Sequence, residues 1–184
     1  LVLPVVAAAA AFLAWSQMWV TVMLADGRTV GATGDAAAPA IPPFALAALA
    51  LVGTLALAGV VFRVVLGILQ SLLGLGIAVS GGLALADPLA AAAGPLTEAT
   101  GVDGLVGIRP LVEALTTSVW PAVAIAAGGG AVVIGIGIAL TASRWPQRTR
   151  RYDAVRLAST GGSDRVDRID AWDALSDGDD PTAR

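Results

Sequence analysis

Four residues inside a charge-free stretch carry the side chains best suited to hold a ligand: Trp15, Ser16, Gln17 and Trp19. On a helix Trp15 and Trp19 share one face, with Phe12 and Met23 nearby and the polar pair Ser16 and Gln17 beside them. Two readings follow. In one, the tryptophans join an aromatic belt near the outer membrane surface while Gln17 hydrogen-bonds a neighbouring helix, a contact worth about 0.6–2 kcal/mol. In the other, they wall a pocket for a flat apolar solute that Gln17 orients.

Beyond this cluster the residue types exclude more chemistry than they offer. The chain has no Cys, no His and no Lys. That removes disulfides, thiolate and imidazole metal ligands, Cys or Lys nucleophiles and the usual imidazole base, so no catalytic residue, metal site or cofactor is expected. A net charge of −3 without a basic domain argues against nucleic acid as a partner. No acid lies within an apolar run, which argues against ion-coupled transport and intramembrane hydrolysis. Gly74-Leu75-Gly76 and Gly135-Ile136-Gly137 look superficially like phosphate loops, but they lie inside apolar runs with no preceding strand.

The elements that must carry these residues belong in lipid. The 184 residues are 57% hydrophobic and only 14% charged, well below the roughly one-quarter charged of soluble domains. Residues 1–24 carry no charge and are long enough for a first spanning helix, which needs about 20 residues. A signal peptide is the alternative, but its apolar region runs to only about 7–15 residues. Residues 25–43 form an outer loop rich in Gly, Ala and Pro. Residues 44–86 are apolar apart from Arg63, and as one helix they would be about twice the thickness of the hydrocarbon core. They must fold back near Arg63, because an arginine at mid-bilayer costs at least about 2.5–3.5 kcal/mol. The expected spans are therefore about 44–61 and 64–86. Residues 87–117 make a second outer loop, with a short interfacial helix expected at 110–117. A fourth span at about 118–143 is capped by Ser118 and carries Trp120 at headgroup level.

The fold class expected is thus an all-α membrane protein: four transmembrane helices in a small bundle. Arg144, Arg148, Arg150 and Arg151 follow the last span with no acid among them, which places the tail in the cytoplasm. Arg63 then falls on the inner side, and an even number of spans puts the N-terminus there too, in the plasma membrane. The interface anchors are Arg63, Trp120, Arg144, Trp145, Arg148, Arg150 and Arg151. The arginine run serves as a topology anchor or as a site for anionic lipid, at about 1 kcal/mol per arginine.

Residues 144–184 read as a largely flexible charged tail with a short helix at about 165–177, where Val166, Ile169, Trp172 and Leu175 recur at threefold spacing. Two turns are too few to persist alone, so this face either docks a membrane or cytoplasmic protein partner, packs near Trp145 or stays disordered. Within the bundle, small residues at i, i+4 spacing supply either packing seams or the lining of a permeation path: Ala50, Thr54 and Ala58; Gly74, Ala78, Gly82 and Ala86; Ala127, Ala131, Gly135 and Ala139.

Trp15-Ser16-Gln17 with Trp19, Arg144-Trp145-Pro146 with Arg151-Tyr152, and Trp172-Asp173-Ala174-Leu175 with Gly178, Asp180, Pro181 and Thr182 resemble the tryptophan-associated transmembrane protein family of actinobacteria. The resemblance implies a genetic link to tryptophan biosynthesis and no established activity, so no site residue carries over. The expected function is a non-enzymatic accessory membrane protein whose tail binds a partner. The alternative is a small carrier or channel for tryptophan, indole or a related aromatic metabolite, for which so few spans would require a homo-oligomer.

Overall fold

The computed structural model describes residues 2–55 and 57–144, which belong to one compact unit, Leu1–Trp145. The tail residues singled out above, including Trp145, Arg148, Arg150, Arg151, Val166, Ile169, Trp172 and Leu175, lie outside the described residues.

Residues 1–24 are not one helix. Helix α1, Val2–Trp15, stops short, and Met18–Leu24 is a strand, β1. The end of α1 is closed locally: Ser16 N donates to Phe12 O, Ser16 Oγ to Leu13 O, and both Gln17 N and Trp19 Nε1 to Ala14 O. Those bonds satisfy carbonyls that a terminating helix would otherwise leave bare. The aromatic and β-branched run from Trp19 to Val22 then suits a pleated surface better than another helical turn.

Strand β1 is central in an antiparallel sheet of order β2-β1-β3, with β2 at Thr29–Thr33 and β3 at Val112–Thr117. Val22 opposes Val30 on one side and Leu115 on the other. The β1–β2 turn carries Asp26-Gly27, and Gly27 adopts φ +82°, which an L side chain rarely tolerates. The all-α expectation is therefore corrected, and so is the interfacial helix expected at 110–117, which is β3 preceded by a 3-10 turn, Arg109–Leu111.

One turn of helix, α2 (Gly34–Ala37), leads to α3, Ile41–Leu55. Helix α4 runs from Val60 to Ala86 and opens on Gly59, so the chain turns before Arg63 rather than at it. Arg63 is the fourth residue of α4, its N–H bonded to Gly59 O. Short helices α5 (Pro88–Ala91), α6 (Ala93–Thr100) and α7 (Leu105–Ile108) cross to β3. Helix α8, Trp120–Thr141, ends in a 3-10 turn, Ala142–Arg144. Ser118 caps less directly than expected. Its Oγ donates to Met18 O at 2.7 Å and accepts from Trp120 N at 3.3 Å, so it ties the start of α8 to β1.

The long helices neighbour one another as α1–α3, α3–α4, α4–α8 and α8–α1. The α4–α8 contact is a seam of small residues. On α4 the buried positions are Gly67, Gln70, Gly74, Ile77, Gly81 and Ala84, an alternation of three and four; on α8 they include Pro121, Ala124, Gly128, Ala131, Gly135 and Ile138. A Cβ added to Gly74 would stand 2.7 Å from Gly128 O, and one on Gly67 would stand 2.7 Å from Gly135 O. The helices run antiparallel in backbone contact, and Ser71 Oγ bridges them to Val132 O at 3.1 Å.

This heptad pattern differs in part from the i, i+4 rows expected. Ala127, Ala131 and Gly135 are buried, and so is Gly74, but Ala50, Thr54 and Ala86 are exposed. An unbroken i+4 row advances about 40° per step around the helix and leaves the partner's face, whereas steps of three and four keep facing it.

Candidate functional site

The structure divides the Trp15–Trp19 cluster instead of assembling it. Trp19 is fully buried in the core beneath the sheet, with its indole N–H spent on Ala14 O at 2.7 Å. It packs in one cluster with Val20, Val22, Ile41, Leu96 and Ile108. A solute reaches Trp19 only by displacing that core. Trp15 remains on α1, partly buried and edge-on to Phe12, ring centroids 6.4 Å apart at 89°. Its Nε1 is shielded from solvent and meets no hydrogen-bond partner among the described residues. Ser16 is exposed, and Gln17 Nε2 donates to Ser16 Oγ at 3.1 Å rather than across to another helix. Gly34 lies so close to the end of α1 that an added Cβ would enter the Trp15 backbone, 2.7 Å from its Cα.

Among the anchors, Trp120 opens α8 and packs partly buried against the core, Arg144 is exposed at the opposite end of the same helix, and Arg63 is partly buried with Nε and Nη1 shielded. Arg28 Nε donates to Asp26 Oδ2 at 2.6 Å, and its Nη1 reaches Ala99 O at 3.1 Å, so it ties the hairpin to α6. The Arg28 backbone N–H, followed by its guanidinium, holds Asp26 below the ordinary carboxylate value. The Thr33 hydroxyl does the same for Asp35. Asp87 Oδ1 accepts from Ala90 N and so caps α5. These acids have structural partners, and among the described residues none gathers with two others as a metal site.

Gln70 is the side chain that sequence reasoning missed. It lies in α4, 0% exposed, and neither Nε2 nor Oε1 has a hydrogen-bond partner among the described residues. Its signal was legible, because a lone carboxamide seven residues from Arg63 interrupts an otherwise apolar run. Concavities elsewhere include an apolar groove of about 370 Å³ between α1 and α8, lined in part by Leu3, Gly137 and Thr141, and a hollow of about 520 Å³ beside Asp26, Arg28 and Thr100.

The large side chains of α4 and α8 point outward. Phe62, Val65, Ile68, Leu72, Leu75, Leu83, Val133 and Leu140 are exposed, while glycines and alanines, with Gln70, Ile77 and Ile138 among them, fill the contacts. A water-soluble fold inverts this arrangement, since burying large apolar groups drives its folding and broad apolar patches aggregate. In lipid no such drive exists between helices, and close backbone approach takes its place. Helices α4 and α8 are also long and apolar enough to cross a bilayer, while α1 and α3 are apolar and shorter.

Together these features define a helical transmembrane protein with a small antiparallel sheet at one end of its helices. The chain belongs to the tryptophan-associated transmembrane protein family, whose model matches residues 1–182. No curated protein and no solved structure matches it.

Proposed function

We propose that α1, α3, α4 and α8 all cross the plasma membrane, with the sheet and short helices outside and both termini in the cytoplasm. The charges support this reading. In the sequence Arg144, Arg148, Arg150 and Arg151 follow α8 and Arg63 lies by the α3–α4 turn, whereas the segments at the other end of the helices carry Arg28 and Arg109 alone. A reporter fused after Arg184 is expected to be active only as a cytoplasmic fusion, and one inserted at Gly101 only as an exterior one. The opposite pattern overturns the topology.

In this membrane the protein is a non-enzymatic accessory factor linked to tryptophan metabolism, and the Trp172 segment of its tail docks a membrane or cytoplasmic partner. One observation carries the reading: Arg63 is the single ionisable side chain in α1, α3, α4 and α8, so these helices offer no acid or base to move a proton or activate a nucleophile. Copurification in mild detergent tests the partner. The intact chain should retain a protein that Trp172→Ala loses, and equal recovery from both removes the proposal.

The second reading, a carrier for tryptophan, indole or a related aromatic metabolite acting as a homo-oligomer, is favoured by Trp15, whose unsatisfied N–H lies beside Phe12. Labelled tryptophan uptake and efflux, compared with and without the gene, test it; unchanged flux both ways rejects it.

A further inference from the structure

Val133, Gly137 and Thr141 recur at four-residue spacing and share a face of α8. With Leu3 and Pro4, in the first turn of α1, they line the groove of about 370 Å³, which falls within the size range of small-ligand sites, about 300–1,000 Å³. From Val133 to Thr141 the groove follows α8 for about 12 Å at 1.5 Å per residue. No packing contact accounts for Gly137. Backbone contact between α4 and α8 requires Gly67, Gly74, Gly128 and Gly135, whereas a Cβ on Gly137 would meet nothing within 4 Å. A glycine inside a helix weakens it relative to alanine. What Gly137 contributes is open space in the groove.

Two features define the occupant. The lining side chains are hydrocarbon apart from Thr141, whose hydroxyl donates to Gly137 O at 2.6 Å, so the groove suits a chain of methylenes. The end of the groove at Thr141 is cationic. Arg144 follows three residues on, one turn further along the helix, exposed and without an ion pair among the described residues. In the sequence Arg148, Arg150 and Arg151 come next, and no acid lies between Thr141 and Tyr152. A long apolar body that ends in negative charge matches both features. A second copy of this chain does not, since a two-fold contact through the groove would set one arginine run against the other.

We propose that this groove holds an acyl chain of an anionic phospholipid whose phosphate pairs with Arg144. The planar guanidinium can take two phosphate oxygens at once, and the arginines that follow add to the attraction. The groove turns a general attraction for anionic lipid into a site for one molecule. The inference rests on α1 and α8 lying together in lipid, and on neither the side of the membrane nor the partner of the tail, so a reversed pattern of reporter fusions would leave it standing.

Native mass spectrometry tests it on the full chain in dodecyl maltoside, offered equal amounts of phosphatidylglycerol and phosphatidylcholine with identical acyl chains. One phosphatidylglycerol per chain should be retained in preference to phosphatidylcholine. Arg144→Gln should cut that retention about fivefold, the effect of one arginine near a charged surface, and leave phosphatidylcholine unchanged. Gly137→Phe fills the groove and should abolish retention. Gly129→Phe, elsewhere on α8 where a Cβ also meets nothing within 4 Å, should preserve it. If Gly137→Phe lowers the unfolding midpoint, Leu3→Trp closes the groove from α1 instead, at a side chain that is 67% exposed. Equal retention of the two lipids, no effect of Arg144→Gln, full retention in the filled-groove variants, or a dimer that those variants dissociate would each overturn the proposal.

Discussion

If backbone contact between α4 and α8 holds the bundle together, one added methyl at Gly74 should separate them. A Cβ there would meet Gly128 O at 2.7 Å, Ala131 Cβ at 2.8 Å and Val132 N at 2.8 Å, all backbone or the first side-chain atom and none able to swing away. Relief requires the helices to part by roughly 0.5–1 Å, a gap that forfeits a quarter to a half of each dispersion contact along the seam. Overpacking of this kind costs about 1–3 kcal/mol. The Ser71 Oγ–Val132 O bond, already 3.1 Å, stretches with it. An interhelical bond in a membrane averages about 0.6 kcal/mol. Gly74→Ala should therefore lose about 2–4 kcal/mol, offset by up to about 1 kcal/mol of helix propensity. Gly82→Ala on the same helix is the control, because its Cβ meets nothing within 4 Å. Unfolding in mixed dodecyl maltoside–SDS micelles, followed by tryptophan fluorescence, measures both. Equal midpoints for Gly74→Ala and Gly82→Ala would refute the reasoning.

The junction between α1 and the sheet gives further tests. Gly34→Ala drives a Cβ into the Trp15 backbone and should cost about 1–3 kcal/mol, seen as a lower unfolding midpoint and earlier cleavage in the 25–33 segment under limited proteolysis. Trp19→Phe removes the bond to Ala14 O from a fully buried site and should cost about 1–3 kcal/mol in the same assay; a wild-type midpoint would deny that the indole N–H secures the helix end. Asp26 has a lowered pKa in the folded protein, so its contribution to the hairpin is complete above the ordinary value of 3.8 and is lost as pH falls through the lowered one. The Arg28 amide resonance should titrate below pH 3.8 and stay flat in Asp26→Asn.

Much of the site and fold was open to reading from the residues, and the failures have physical causes. Asp26-Gly27 between Val20-Thr21-Val22 and Thr29-Val30 is a strong hairpin signal, and Gly27 takes the positive φ that such a turn needs. The charge-free run 1–24 masks it, because absence of charge is a property that a spanning helix and a buried strand share. The error over the tryptophans followed, since period 3.6 puts Trp15 and Trp19 on one face, whereas the switch to period 2 sends Trp19 into the core. Gln70 carries a weaker sequence signal than a charged residue would, though a buried neutral amide is also costly in lipid.

By itself the sequence determined the solvent: uncharged runs of Leu, Val, Ala and Gly commit α4 and α8 to lipid whatever their neighbours, because transfer free energy is a property of the residues. The same holds for the breaks near Gly59 and at Asp87-Pro88, where backbone chemistry is local. Only the tertiary structure decided that residues 18–24 leave the helix, because the stabilising partner strand β3 lies some ninety residues away. It also decided which glycines touch and that Gln70 is enclosed, since both depend on the angle at which one helix face meets another rather than on the order of residues along either.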